Sequence, residues 1–391
     1  MKKNENSDNH KIYISHFVGL SGIGGVQRNF LEYINNQIVS ESELLHKVYT
    51  LGQIDTQYKM PIKVYNIKKL KNLLSLILDI ISRKKIVHFY NNLTSLKMAV
   101  LFFLLPVHNI ILHERGTIWN LSYSRGVLLR FVAWKACLIL ANSNATKTML
   151  EKKFYIFSEK IRVVHNGINT SIKCSKIKSE HKNSSLFRVG FIGRLDTPKG
   201  VHVLIDAVHH LVGNRIAFII AGDGVLEDVL KAQADGLENV SFIGRIGEPY
   251  NFLNSLDLLV VPSIREPFGN VCLEAGLCKT PVLAANVDGI PEIITDKVSG
   301  ELITPTQEIS FKAIKGSTPM PEFVVDSSIK KIHPPKQINP EVLAAKILNL
   351  SNSHVLLRKY GKNLHKEVIN YFNMDRYTSE LHNIYFEVYR G

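Results

Sequence analysis

Glu266 and Glu274 stand on either side of a turn, Pro267-Phe268-Gly269, that opens an apolar segment with Val271, Leu273 and Leu277 near helical spacing. One carboxylate in the loop before a helix and another about two turns into it frame one end of that helix. The N–H groups of Phe268, Gly269, Asn270 and Val271 lack intrahelical acceptors there, so with the helix dipole they favour an anion. A cationic group accompanies them: Arg194 and Lys199 lie in the loop 193–200, GRLDTPKG, just ahead of another helical segment. A forked guanidinium and a mobile ammonium converging beside a helix N-terminus suit a nucleoside diphosphate. Gly24 and Gly25 lie in a glycine-rich turn into a helix, where backbone can pass close to a phosphate. His113 ends the short apolar run 110–112. A histidine so placed is either a hydrogen-bonded core residue or a group at the carboxyl end of a strand, where ligands collect.

Short apolar runs must carry these loops. Segments 11–17, 47–51, 64–67, 86–90, 110–113, 137–142 and 161–164 read as strands in the first half, and helical patterns such as 70–82 and 126–136 fall between them. The second half repeats the scheme with strands at 187–192, 216–220, 240–243, 258–261 and 281–285. This alternation predicts an α/β protein with two Rossmann-like, doubly wound parallel sheets and ligands at the strands' carboxyl ends. The expected division is 1–172 for the first domain, 173–185 for a polar linker and 186–370 for the second domain, with a helix at 371–391 returning to the first. Segment 306–340 is proline-rich and without period, and is expected to be an inserted loop or partly disordered.

At 391 residues the chain exceeds what one core serves, and 45% hydrophobic with 21% charged residues is a globular composition. The polar start 1–10 offers no secretory signal, and the longest apolar run, 98–105, is far short of the about 18 residues of a membrane span. Cys137, Cys174, Cys272 and Cys278 lack metal-ligand spacing and read as reduced thiols of a cytoplasmic protein. Charge is lopsided: residues 1–173 hold 24 Lys and Arg against 10 Asp and Glu, net +14, whereas 174–391 hold 24 of each. An anionic partner of the first half and an ordinary lysine-rich soluble surface both fit.

The order strand, Glu266, Gly-led helix, Glu274, strand, Gly289-Ile290-Pro291-Glu292 resembles the E-x7-E region of the retaining glycosyltransferases of family 4, which have the two-domain GT-B fold. Gly24-Gly25-Val26-Gln27-Arg28 and His165-Asn166-Gly167-Ile168 are further phrases of that family, and Arg194 and Lys199 match its diphosphate-binding pair. Lys279 and Gly276 depart from the usual Gly and Met, leaving the local turn and helix packing open. The resemblance implies transfer of a sugar from a nucleotide donor, most simply a UDP-sugar, to a hydroxyl of a glycan or lipid-linked acceptor in bacterial cell-surface polysaccharide or lipopolysaccharide synthesis. It implies that Glu274 holds the ribose, that Glu266 and His113 contact the transferred sugar, and that the amides of 268–271 hold sugar hydroxyls or phosphate. Asp-x-Asp is absent, so no metal and no cofactor are expected, the nucleotide-sugar being a substrate. Because the GT-B acceptor meets the first domain, the +14 there predicts an anionic or membrane-borne acceptor. Peripheral binding to the inner face of the cytoplasmic membrane is expected through residues such as Lys68, Lys69, Lys71, Arg83, Lys84 and Lys85. A GT-B epimerase or phosphorylase is the alternative within enzymes. A non-enzymatic nucleic-acid binder is the remote one, since no basic motif with interleaved aromatics is found, and nucleic acid is not an expected partner.

Overall fold

The computed structural model describes residues 11–22, 24–39, 43–55, 59–91, 95–172, 174, 186–311 and 314–391. The expected linker 173–185 lies outside the described residues apart from Cys174, whose sulfur is 2.9 Å from that of Cys278.

The first domain runs β1 (Ile12–Phe17), α1 (Gly25–Val39), β2 (Leu44–Thr50), β3 (Val64–Asn66), α2 (Leu70–Ile81), β4 (Lys85–Tyr90), α3 (Leu96–Leu104), β5 (Ile110–Glu114), α4 (Gly126–Lys135), β6 (Leu138–Ala141), α5 (Asn144–Phe154) and β7 (Ile161–Val163). Its seven strands are all parallel, in the order β3-β2-β1-β4-β5-β6-β7. Successive strand residues serve opposite faces. Val87, Ile110, Leu112 and Ile139 pack with α2, α3, α4 and α5, whereas Ile86, Ile111 and Leu140 pack with α1. A parallel sheet covered on both sides explains why these strands are continuous apolar runs. Ser143 starts α5 by accepting the N–H of Thr146 at 2.9 Å.

The second domain runs β8 (Phe187–Ile192), α6 (Val201–His209), β9 (Ile216–Ala221), α7 (Glu227–Gln233), β10 (Val240–Gly244), α8 (Pro249–Asn254), β11 (Leu258–Val261), α9 (Asn270–Leu277), β12 (Val282–Ala285) and β13 (Glu301–Ile303), and its parallel sheet has the order β10-β9-β8-β11-β12-β13. After the hairpin β14 (Val324–Asp326) and β15 (Lys331–His333) come α10 (Pro340–Ser351), α11 (His354–Tyr371) and α12 (Met374–Arg390). Helix α12 packs on the first domain: Tyr377, Leu381, Ile384 and Tyr385 join α1 over the sheet, and the Tyr385 hydroxyl lies 2.7 Å from His88 Nδ1.

The departures at 276 and 279 have local explanations. Lys279 takes φ +59, the left-handed turn that glycine serves elsewhere. At Gly276 a Cβ would lie 2.6 Å from Val368 Cγ2, so only glycine lets α11 pack this closely on α9.

Segment 306–340 corrects an expectation. Its middle is an antiparallel hairpin rather than a structureless loop. Strands of three residues are too short to show a period of two, and tertiary docking holds them. Val324 enters the core of the second domain and Val325 that of the first. Glu322, just before β14, pairs with Lys153 of α5 at 3.0 Å. The hairpin is therefore a strap across the two domains.

Candidate functional site

β11 delivers the chain to Glu266 through Ser263, Ile264 and Arg265, all buried. The backbone at Glu266 is clamped by the loop after β12: its N–H donates to Asp288 Oδ2 at 2.9 Å, and its carbonyl accepts from the N–H of Gly289 at 3.1 Å. Its carboxylate receives Lys199 Nζ at 2.5 Å and lies 3.4 Å from Ser263 Oγ. Lys199 closes the 3₁₀ turn 197–199, started by Asp196 accepting the N–H of Thr197 at 2.9 Å. The two predicted cations therefore differ. Lys199 is half-buried and paired with Glu266, whereas Arg194 has a side chain 65% exposed and lies 3.7 Å from Asp196.

Gly269 caps α9, and no donor bond from the amides of Phe268, Gly269, Asn270 or Val271 to another backbone carbonyl occurs among the described residues. Phe268 is buried, with its ring stacked 5.5 Å from His165. Across the cleft, the predicted glycine turn meets this helix end. A Cβ on Gly25 would lie 2.6 Å from Asn270 Nδ2, so a larger residue there would displace the Asn270 amide, and the carbonyl of Gly24 accepts the N–H of Arg28 in the first turn of α1. Asn166 Nδ2 donates to Asn270 Oδ1 at 2.7 Å from the same side. Arg28 then reaches to within 3.8 Å of Glu274. Burial pushes the Glu274 carboxyl up to about 7, Arg28 pulling it down and Glu32 pushing it further up. Arg28, Glu32, Gly247, Tyr250 and Glu274 line a cavity of about 300 Å³ between the domains.

His113 is placed differently from the carboxylates and cations. It is fully buried, its ring stacks 5.3 Å from that of His88, and neither ring nitrogen has a hydrogen-bond partner among the described residues. Burial, with the nearby Arg115, keeps it neutral by lowering its pKa well below the usual range. Its chain neighbours do reach the site. The Glu114 carboxylate accepts the N–H of Gly116 at 2.7 Å, and Gly116 abuts Pro267 closely enough that a Cβ would lie 2.6 Å from its Cγ.

Several site groups were not singled out from the sequence. Arg115 donates to Asn29 Oδ1 and Asn166 Oδ1, both at 2.6 Å, and so ties together loops of the first domain beside Asn270. Asp288 is a buried junction: besides Glu266 N–H, it accepts Val325 N–H at 2.7 Å and Trp119 Nε1 at 3.3 Å. Glu292 reaches across the cleft to accept the N–H groups of Asn144 and Ala145 at 2.8 and 2.9 Å, and lies 2.7 Å from His165 Nε2. It caps a helix of the other domain, where the dipole favours its charge. Glu292 and Arg28 sit inside motifs already recognised, Gly-Ile-Pro-Glu and Gly-Gly-Val-Gln-Arg, and Asp288 stands immediately ahead of the first, which is the signal that could have found them.

Two Rossmann-like parallel-sheet domains, closing on a cleft with cations, carboxylates and helix termini at its walls, define the GT-B architecture. Residues 174–315 match the family model described as Glycosyl transferases group 1. The chain is similar to an uncharacterized glycosyltransferase of Methanocaldococcus jannaschii, 32% identical over 44% of this chain and 48% of that protein. It is also similar to the capsular polysaccharide biosynthesis glycosyltransferase CapM of Staphylococcus aureus, 27% identical over 63% of this chain and 60% of CapM. The chain thus spans about half the length of these curated relatives. Among solved structures, Anabaena HepE in complex with UDP-glucose superposes with a TM-score of 0.74 at 20% identity, covering 96% of this chain and all of HepE.

Proposed function

We propose that the protein is a retaining glycosyltransferase that moves a sugar from a UDP-type nucleotide donor to a hydroxyl of a glycan or lipid-linked acceptor in cell-surface polysaccharide synthesis. The observation that carries the proposal is the convergence at one cleft of Lys199 on Glu266, the capped end of α9, and Glu274 opposite the Gly24-Gly25 turn. The CapM and HepE likenesses support it. As the anomeric bond breaks, negative charge grows on the diphosphate and positive charge on the sugar ring. Lys199, Arg194 and the α9 amides stabilise the first, and the Glu266 carboxylate stabilises the second. In the same reading Glu274 accepts the ribose hydroxyls, while His113, fully buried behind Glu114 and Gly116, backs the sugar site without facing it.

A melting-temperature panel with UDP-, GDP-, ADP- and dTDP-sugars tests the donor. One nucleotide class should stabilise strongly, by about 2.7 kcal/mol at 100 times its Kd. No shift with any of the four would overturn the reading.

The role given to Glu274 carries a pH signature. The group is half ionised near pH 7 and largely protonated below it. Only the ionised form can accept two ribose hydroxyls, so donor affinity should fall by about tenfold between pH 8 and pH 6. Glu274→Gln should bind more weakly and show no such slope. Calorimetric titration at the two pH values checks this, and an unchanged slope in the variant would remove Glu274 from the role.

A further inference from the structure

One face of the first domain is apolar and uncovered among the described residues. By the right-handed crossover rule α2, α3 and α4 form one layer on the side of the sheet away from α1 and α12, and their buried residues share one core. Their outward sides also carry apolar rows. In α2, Leu70, Leu74 and Leu78 are exposed at helical spacing. In α3 the same holds for Leu96, Val100, Phe103 and Leu104, with Phe103 74% exposed. In α4, Val127 and Trp134 are exposed, Trp134 at 67%, and Phe131 bridges them to the neighbouring helix, its ring 6.3 Å from both Phe103 and Trp134. Soluble monomers rarely expose contiguous apolar surface on this scale.

The charges on the same layer have one sign. Residues 56–150 contain 14 Lys and Arg but only two acids, Asp79 and Glu114, and both acids are buried. Lys68, Lys69 and Lys71 are exposed beside the leucine row of α2, Lys97 is exposed on α3, and Arg125 and Arg130 are exposed at α4. Lys85 is not available, being held 2.5 Å from Asp79. No helix among the described residues is long and apolar enough to cross a membrane.

We propose that the α2–α3–α4 face is a docking surface for an anionic lipid bilayer, with Phe103, Leu104 and Trp134 entering the headgroup boundary and the surrounding cations meeting lipid phosphates. Apolar rows at helical spacing with basic flanks and aromatics are what an interfacial surface needs. A second copy of the chain is the poorer occupant, because two such faces would bring only like charges together. The inference goes beyond sugar transfer and does not depend on it.

Vesicle co-sedimentation with phosphatidylglycerol or phosphatidylcholine decides it. The chain has two tryptophans, and Trp119 is buried, so a fluorescence shift on binding reports Trp134. Expected results are binding to phosphatidylglycerol vesicles that fades with salt, a blue shift of the emission, and at least tenfold weaker binding by F103S/L104S/W134S with an unchanged melting temperature. Equal indifference to both lipids at low salt, or undiminished binding by the triple variant, would overturn the proposal. So would a wild-type dimer that the triple variant splits and that ignores vesicles, which would give the face to a second copy.

Discussion

Lys199→Ala is expected to lower turnover by roughly 10²–10³-fold, or about 2.7–4 kcal/mol in the transition state, the cost typical of removing one preorganised electrostatic donor. The geometry makes it the costlier of the two cation losses. Lys199 is half-buried and 2.5 Å from Glu266, so its removal leaves that carboxylate, among the described residues, with the Ser263 hydroxyl at 3.4 Å as its side-chain partner. Without that ammonium the carboxylate loses the contact that fixes its orientation, so it meets the developing sugar charge less well. Arg194, mostly in water, should cost less when replaced by alanine. Lys199→Arg should not restore wild-type turnover, because a planar fork cannot occupy the site of a compact ammonium. Turnover of purified variants, with far-UV circular dichroism to confirm folding, checks the series. Lys199→Ala within threefold of wild type would exclude the role.

Asp288→Ala should destabilise the protein by about 3–5 kcal/mol, since it leaves three buried N–H donors, from Glu266, Val325 and Trp119, without their acceptor. The three donors belong to the Glu266 loop, the strap and the first domain, so the loss should also loosen the clamp on Glu266 and lower activity in whatever fraction stays folded. Asp288→Asn should fall between, because one oxygen remains while the new amide group opposes a donor. Urea denaturation followed by tryptophan fluorescence measures the difference, and a loss under 1 kcal/mol would show that water replaces the carboxylate.

The groups legible in the sequence share a local grammar: an apolar run, then a glycine-marked turn, then a helix. Lys199, Glu266 and Gly25 sit at such turns and Glu274 in the helix that follows one, and the fold brings them to one cleft. What could not be read depends on pairings across the chain. Lys199 meets Glu266 over 67 positions and Asn144 meets Glu292 over 148, distances at which no local pattern reports a partner. The hairpin escaped because strands of three residues carry no period. His113 remained two-sided because the burial of a strand-end residue is decided by what covers it. For α2 the difficulty was different: with apolar residues all round the helix, nothing in the spacing told Leu76 and Ile80, which are buried, from Leu74 and Leu78, which are exposed.

The return of α12 to the first domain sets a timetable for biogenesis. Tyr385 covers His88, a partner made 297 residues earlier. At about 5–20 residues per second the β4 strand waits roughly 15–60 s on the ribosome before that tyrosine exists. Through this interval the α1 side of the first sheet lacks the aromatic and aliphatic rows of α12, while the second domain, whose sheet and helices α6–α11 precede α12 in the chain, can finish its own core. The domain synthesised first is therefore completed last. A nascent chain stalled before residue 374 would present a settled second domain beside an open, chaperone-accessible first one, and loss of α12 would damage the half of the molecule most distant from it in sequence.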